Sequence, residues 1–394
     1  MKARKIDNNV FWVGAVDWDR RLFDSLIPLP DGTSYNSYLV RGSEKAALID
    51  TVDPSMTSFL LSRLDELGTT KLDYLIANHA EQDHSGSLPA VVDRFPMAKV
   101  VTTPKGKKML IDLLRLPEDA FITVEDGEQL SLGDKTLRFI HTPWVHWPET
   151  MVTYLPEDRI LFSCDFFGSH LAMSSLYTED TARLCEAAKA YYAQVMMPFR
   201  AAIRKNLEKI QPYRIDVIAP SHGPVHRDSA CILRSHQDWV SDALSNSVVL
   251  PYISMHGSTQ LMADHLADAL TERGVQVQKF NLAVADTGKL AAALVDAATV
   301  VVGSPMVLAG AHPSVISAVF LANALRPKLR FASIIGSYGW GGKMVEHITG
   351  TMSNLKVELL EPVLVQGHPR EEDLQALERL AEAIAAKHHE AGIG

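Results

Sequence analysis

The sequence predicts an α/β protein of two domains in series, and three observations carry that reading. Apolar, strand-like runs at residues 74–77, 160–162 and 217–220 each give way within a few positions to a metal-binding side chain. Residues 248–254 form a short apolar run, followed by a loop of small and hydroxyl residues and then by the helical spacing of Leu261, Leu266 and Leu270. Two further apolar runs, 299–302 and 331–335, open into glycine-bearing loops. Such loops lie at the carboxyl ends of parallel strands, where open α/β sheets bind ligands. At 394 residues, the usual ~100–200 residues per domain allow two or three domains, and the pattern reads as two.

Early strands are expected at residues 10–13, 38–40 and 46–50. The run 74–77 then leads into His79, Glu81, Asp83 and His84, four metal-binding side chains within six positions. A turn leaving a strand aims alternate side chains at one point and adjacent ones at a second, which suits two metals. Hydrolases with a binuclear zinc site of this type usually carry a histidine at the third position, where this chain has Glu81. Imidazole with hard carboxylate oxygen and no thiolate suits iron or manganese at least as well as zinc. His146, Asp165 and His222 complete the set, each near the end of a strand-like stretch. His79, Glu81 and His146 are assigned to one metal and Asp83, His84 and His222 to the other, with Asp165 bridging because one carboxylate offers an oxygen to each cation. His84 is the ligand that a turned ring would withdraw, leaving an open position.

Fifteen histidines are present, so most need another explanation. His141 and His170 border the proposed loops as hydrogen-bond partners that orient the ligands. His226, four residues after His222, competes for its role, but Gly223 and Pro224 favour His222 as the residue on a fixed turn. His236, His265, His347, His368, His388 and His389 are expected to face solvent.

In the C-terminal part, Ser254, Met255, His256, Gly257, Ser258 and Thr259 form a phosphate cradle. Backbone N–H groups and the positive end of the following helix face the anion, and the hydroxyls add donors. The later loops contribute Ser304, Pro305 and Met306, then Ser337, Tyr338, Gly339, Trp340 and Gly341. Tyr338 and Trp340 are placed to flank a flat aromatic ring.

The order His-x-Glu-x-Asp-His, then His146, Asp165 and His222, with three such loops behind it, resembles the flavodiiron proteins, also called A-type flavoproteins. The resemblance covers nearly the whole chain. It implies a metallo-β-lactamase-like αββα sandwich over residues 1–245, holding a non-haem diiron site (two Fe) at the seven residues above. It further implies a flavodoxin-like doubly wound parallel sheet over 246–394, binding flavin mononucleotide (FMN) at the three loops, with the polar stretch 235–247 as the junction. No catalytic residue is expected beyond the metal ligands. Flavin and two irons together store four electrons, the number that takes O2 to two waters, whereas two suffice to couple two NO into N2O. O2 reduction is the expected activity and NO reduction the alternative. A zinc hydrolase of the same fold, or an electron carrier with a vestigial metal site, are the rival readings. Many members place a histidine and then an aromatic residue in the loop corresponding to 23–26, where this chain has Asp24 and Leu26, so the pocket's hydrogen bonding does not carry over.

Composition agrees with an enzyme of this kind. Net charge is −9 with no basic stripe, which argues against nucleic-acid binding. No apolar run approaches the roughly 20 residues that span a bilayer, and the N-terminus lacks the apolar segment of a secretory signal. The three cysteines include no Cys-x-x-Cys pair, as expected of a cytoplasmic protein with reduced thiols. They are too few for a rubredoxin or four-iron centre. Electrons therefore come from an external donor, rubredoxin or reduced coenzyme F420 (F420H2). The resemblance also implies a head-to-tail homodimer, or a dimer of dimers, that brings one chain's flavin to the other's irons.

Overall fold

Side chains alternate across a strand with a period of two, and in the first half of the chain both faces of the central strands are apolar. In the computed structural model, which describes residues 2–393, Leu39, Leu48, Leu75 and Val100 point to one side and pack on Leu60, Leu64, Leu88, Val91 and Leu110. Their neighbours Tyr38, Val40, Ile49, Ile76 and Val101 point to the other and meet Phe139, Met151, Leu155 and Phe162. The first set packs under the helices Thr57–Glu66, Leu88–Arg94 and Pro104–Leu114. The second set forms the core between two sheets.

One sheet has seven strands, in the spatial order Arg4–Asp7, Val10–Trp12, Tyr38–Arg41, Ala46–Ile49, Tyr74–Ile76, Lys99–Thr102, Phe121–Thr123. The other has five, Gln129–Ser131, Thr136–His141, Met151–Leu155, Ile160–Cys164 and Val217–Pro220. Asn206 Nδ2 and Lys209 Nζ, from the helix Arg200–Ile210, donate to the carbonyls of Pro143 and His141 at 3.0 and 2.7 Å, which ties that helix to the second sheet. This is the αββα sandwich that the resemblance implied.

The chain divides into two compact units after Val240. In the second, the strands run in the spatial order Gln276–Asn281, Ser245–Tyr252, Ala297–Val307, Phe331–Tyr338, Glu358–Leu359, all parallel to their neighbours, with Val363–Gln366 also pairing in parallel with Phe331–Tyr338. Counted along the unit this is 2-1-3-4-5, the flavodoxin-like order, with its switch point between the first and third strands. Helices Ser258–Glu272 and Glu371–Glu390 cover one face; Thr287–Ala293, Pro313–Leu325 and Met344–Thr351 cover the other.

Several local expectations change. Residues 235–247 are not a free polar linker: the helix Ser229–Val240 runs through the first half and the strand beginning at Ser245 takes the end, because Ser245 N donates to Asp296 O at 2.8 Å. Ser304, Pro305, Met306, Ser337 and Tyr338 lie on strands rather than in loops, since pairing continues through Ser304–Gly336, Pro305–Ser337 and Tyr338–Gln366, and Met306 pairs with Ala311. His236 and His388 are buried, not solvent-facing. His236 is enclosed by the rings of Phe166, Phe167, Tyr192 and Trp239. His388 bonds to Thr299 Oγ1 at 2.6 Å and Asn246 Oδ1 at 2.7 Å.

Candidate metal centre

Strand pairing sets the first two candidates side by side. Ile160–Cys164 and Val217–Pro220 are parallel neighbours, so the residues that follow them, Asp165 and His222, emerge together, and Ser221 Oγ donates to Asp165 Oδ1 at 2.8 Å. In the other sheet Ala46–Ile49 and Tyr74–Ile76 are parallel, and Asp50 just past the first accepts from both Asn78 N and Asn78 Nδ2 at 2.8 Å. That pair fixes the turn into His79. Glu81 stands just ahead of the short helix Gln82–Ser85 without its side chain capping it, so its carboxylate stays available; the helix carries Asp83 and His84, and Thr51 holds the His84 carbonyl through its backbone N–H and its hydroxyl.

All seven predicted ligands converge, and they do so in two groups. His79, Glu81, His146 and Asp165 bring their ligand atoms within 4.8 Å of one another, and so do Asp83, His84 and His222. Asp165 faces both groups. Its Oδ2 lies 3.5 Å from His79 Nε2 and 3.3 Å from His146 Nε2, while Oδ1 lies 2.9 Å from His84 Nε2 and 3.5 Å from His222 Nε2. Asp83 Oδ2 is 3.1 Å from both His84 Nε2 and His222 Nε2. Yet both oxygens of Asp83 and both nitrogens of His84 are buried without hydrogen-bond geometry to any partner. Buried polar atoms are almost always bonded, so atoms that approach without pairing and aim at a common point are those of a metal-binding shell. Among the described residues the set is imidazole and carboxylate, with Cys164 the one sulfur nearby. Burial pushes the Cys164 thiol well up, which disfavours the thiolate form that a metal takes.

Buried partners orient the rings. Glu149 Oε1 accepts from His79 Nδ1 at 2.7 Å and from Ala80 N at 3.0 Å, and Ser34 O accepts from His222 Nδ1 at 2.7 Å. Each bond turns Nε2 toward its group, the usual way a carboxylate or carbonyl fixes a ligand's tautomer. Burial by itself disfavours charge on these rings, but carboxylates outweigh it: Glu149, Glu81 and Asp165 hold His79 well above the ordinary imidazole range, and Asp165 with Asp83 raises His84 to about 9. Burial likewise opposes ionisation of Asp165, and the His84, His146 and His79 rings hold it well down instead. The cluster is built to neutralise several carboxylates, a role a cation fills in place of those protons.

Other sequence candidates separate clearly. His170 is held nearby through one nitrogen: its Nδ1 lies 2.9 Å from Thr33 Oγ1 and its ring packs 4.9 Å from that of His222, while its buried Nε2 has no hydrogen-bond partner. His141 bonds to Val124 O at 3.1 Å and joins neither group. His226 bonds to Phe167 O at 3.1 Å and also stays outside. The loop with Asp24 and Leu26 lies against the second group, since Phe23 packs 5.9 Å from His222. Burial, then the charges of Glu81 and Asp83, push the Asp24 carboxyl up. Sequence reasoning missed Glu149, Asp50, Asn78, Ser34 and Ser221. Glu149 alone left a signal, a carboxylate three residues after His146.

At the other end of the chain, the helix Ser258–Glu272 begins at Gly257, whose φ of 89° is open to glycine, and no side chain caps its first N–H groups. Ser254 Oγ instead accepts from Gly257 N at 3.1 Å, and Thr259 Oγ1 lies 3.1 Å from Ser337 Oγ. The uncapped turn is free to take an anion. Ser304 is buried, donating to Pro305 O at 2.9 Å and accepting from His312 N at 3.0 Å, so it shapes its segment rather than presenting a hydroxyl. Trp340 does not cap the core; it is 66% exposed, with Met255 at 49% and Leu308 at 86%.

A carboxylate-bridged pair of metal-binding groups at the edge of an αββα sandwich, followed by a parallel sheet with an open anion cradle, defines a binuclear-metal flavoprotein. The comparisons agree. The family described as ODP family beta lactamase matches residues 33–223 and the flavodoxin family matches 250–380. The chain is 36% identical over 391 residues to the nitric oxide reductase of Moorella thermoacetica, covering 97% of this chain and 98% of that one. It is 35% identical over 370 residues to the coenzyme F420H2 oxidase of Methanothermobacter marburgensis, covering 90% of each. The solved structure of rubredoxin oxygen:oxidoreductase from Desulfovibrio gigas superposes with a TM-score of 0.94 at 30% identity, covering 98% of both chains. The chain belongs to the flavodiiron protein family, the A-type flavoproteins. It is an oxidoreductase, and its family implies FMN and a diiron site, which the residues described here fit.

Proposed function

We propose that the protein reduces O2 to water, with NO reduction to N2O as a second activity, at a diiron site fed through FMN by an external donor, rubredoxin or F420H2. The observation that carries this reading is Asp165, whose two oxygens face two separate groups of ligands. In it, His79, Glu81 and His146 hold one iron, Asp83, His84 and His222 the other, and Asp165 both. When bound, FMN and the two irons together supply the four electrons that O2 requires. Glu149 and Ser34 keep His79 and His222 aimed. Glu81 and His146, whose side chains are the most exposed of the set at 15%, flank the side from which substrate arrives. Ser254, Met255, His256, Gly257, Ser258 and Thr259 hold the FMN phosphate, and Pro305, Met306, Ser337, Tyr338, Gly339, Trp340 and Gly341 border its ring, with the buried Ser304 shaping the segment behind them. In this reading residues 1–245 carry the metals and 246–394 the flavin.

The donors rest on likeness to a rubredoxin partner enzyme and to an F420H2 oxidase. A head-to-tail homodimer, or a dimer of dimers, is part of the proposal. The exposed apolar side chains of Met255, Leu308 and Trp340, on three segments at or near the proposed flavin loops, support it, since large exposed apolar side chains at a site are what a partner surface covers. A cytoplasmic location accords with the absence, among the described residues, of any helix long and apolar enough to cross a membrane. The deciding experiment is steady-state turnover with reduced rubredoxin, F420H2 and NADH in turn, each against O2 and against NO. Turnover of O2 with rubredoxin or F420H2 supports the reading. Turnover of NO alone overturns the substrate, and fast direct oxidation of NADH overturns the donor.

A further inference from the structure

Two of the three cysteines lie outside both the metal groups and the flavin loops. Cys185 is on the helix Thr181–Tyr191 and Cys231 on Ser229–Val240, and their sulfurs are 3.7 Å apart although 46 residues separate them in sequence. Both are free thiols and partly exposed, whereas Cys164 is buried. Both line a cavity of about 560 Å³, shared with Tyr177, His226 and Arg227, so a small oxidant or a dithiol reductant has a path to them. Two sulfurs already in van der Waals contact need to close by less than 2 Å to reach the roughly 2.05 Å of a disulfide.

We propose that Cys185 and Cys231 form a reversible disulfide, a redox site of this chain distinct from its iron and flavin. With a peroxide as oxidant, the thiolate of Cys231 attacks one oxygen, the O–O bond breaks, and the other oxygen leaves as water after taking a proton. The Cys185 sulfur then attacks the resulting sulfenic sulfur, the S–O bond breaks, and hydroxide leaves as a second water with the Cys185 proton. Two thiols and one hydrogen peroxide thus give one disulfide and two waters, a two-electron oxidation that a dithiol reverses by exchange. Burial, with the adjacent Cys231 sulfur, pushes the Cys185 thiol up, so it enters the second step still carrying the proton that leaves with the hydroxide. The bond has a structural consequence. It joins two helices, of which the first ends at Tyr191, and the Tyr191 ring packs 4.9 Å from His170 and 5.8 Å from His222. Oxidation therefore restrains the helix that backs a proposed iron ligand.

The test uses the full chain with its metals and flavin, reduced, desalted and exposed either to hydrogen peroxide or to diamide, which needs no iron chemistry. Alkylation and non-reducing peptide mapping follow. The expected result is a Cys185–Cys231 linked peptide with Cys164 still alkylatable, reversed by dithiothreitol and absent in C185S and C231S. Hydrogen exchange over residues 181–191 slows in the oxidised wild type and not in C231S. Full alkylation of Cys185 and Cys231 after either oxidant, a link through Cys164, or oxidation that stops at sulfinic acid overturns the proposal, and the wild-type map decides this even if a variant fails to fold. Unchanged exchange over 181–191 in the linked protein overturns the restraint on the helix.

Discussion

Glu149 Oε1 lies 2.7 Å from His79 Nδ1, with both side chains almost wholly buried and the two residues 70 positions apart in sequence. Among the described residues, no other contact in the centre brings a ligand's ring nitrogen closer to a carboxylate oxygen; the next is His84 Nε2 to Asp165 Oδ1 at 2.9 Å. Removing that charge while keeping the shape, in Glu149→Gln, is expected to weaken iron binding by about 10- to 100-fold, the usual cost of losing such a partner. Chelator competition on the folded variant measures it. An unchanged iron affinity would show that the pair serves folding alone.

Replacing Glu81 by His trades the hard oxygen of the first group for a nitrogen. The expected outcome is a shift of metal content toward zinc and loss of O2 consumption, read by elemental analysis and an oxygen electrode. Iron content and rate that match the wild type would mean that Glu81 is not a ligand.

The uncapped turn at Gly257 gives a prediction for the flavin. A side chain there meets open space, so the cost of Gly257→Ala is conformational, about 1–2 kcal/mol for a left-handed backbone. Taken from the bound loop, that is roughly a 5- to 30-fold rise in the FMN Kd, measurable by quenching of flavin fluorescence. Iron content stays the same. An unaltered Kd would remove the loop from the flavin site.

Acid stability is set in part by histidines away from the metals. Burial lowers His226 to about 4 and His236 to about 3, from an ordinary 6.5. Above pH 6.5 both are neutral folded or unfolded and cost nothing. As pH falls below 6.5 the unfolded chain takes up protons that the folded chain refuses, so stability is lost progressively toward the folded values, by on the order of 3–5 kcal/mol for each residue. His236→Phe fits among the surrounding rings and gives up only a bond to Ile232 O within its own helix. Denaturant titrations at pH 7 and pH 5 are expected to show a smaller loss in the variant than in the wild type. An equal loss would mean that His236 is protonated in the fold.

Much of the centre was legible because its ligands follow strands, and strand ends are marked by apolar runs. His79, Asp165 and His222 each stand just past such a run, and parallel pairing of 160–164 with 217–220 brings the last two together. Asp50 and Ser34 were not legible, and Glu149 showed only as a carboxylate three residues after His146, because an orienting partner is defined only by the ring that it meets in space. The stretch 235–247 misled for a related reason. Its polar residues hid a helix whose buried side is supplied by His236, Trp239 and Val240, and a histidine inside an aromatic cage leaves no apolar period. Likewise Ser304 and Ser337 read as loop residues until the neighbouring strands extend the pairing through them.

The central claim is that two groups of ligands joined by Asp165 hold two irons in a chain that also carries a flavin-binding unit. Metal and flavin content of the chain as isolated from iron-replete cells tests it most directly, with Asp165→Asn alongside. The account expects about two irons and one FMN per chain, as in other two-metal sites, and loss of iron with retention of FMN in the variant. Zinc as the dominant metal, or full iron content in Asp165→Asn, would contradict it.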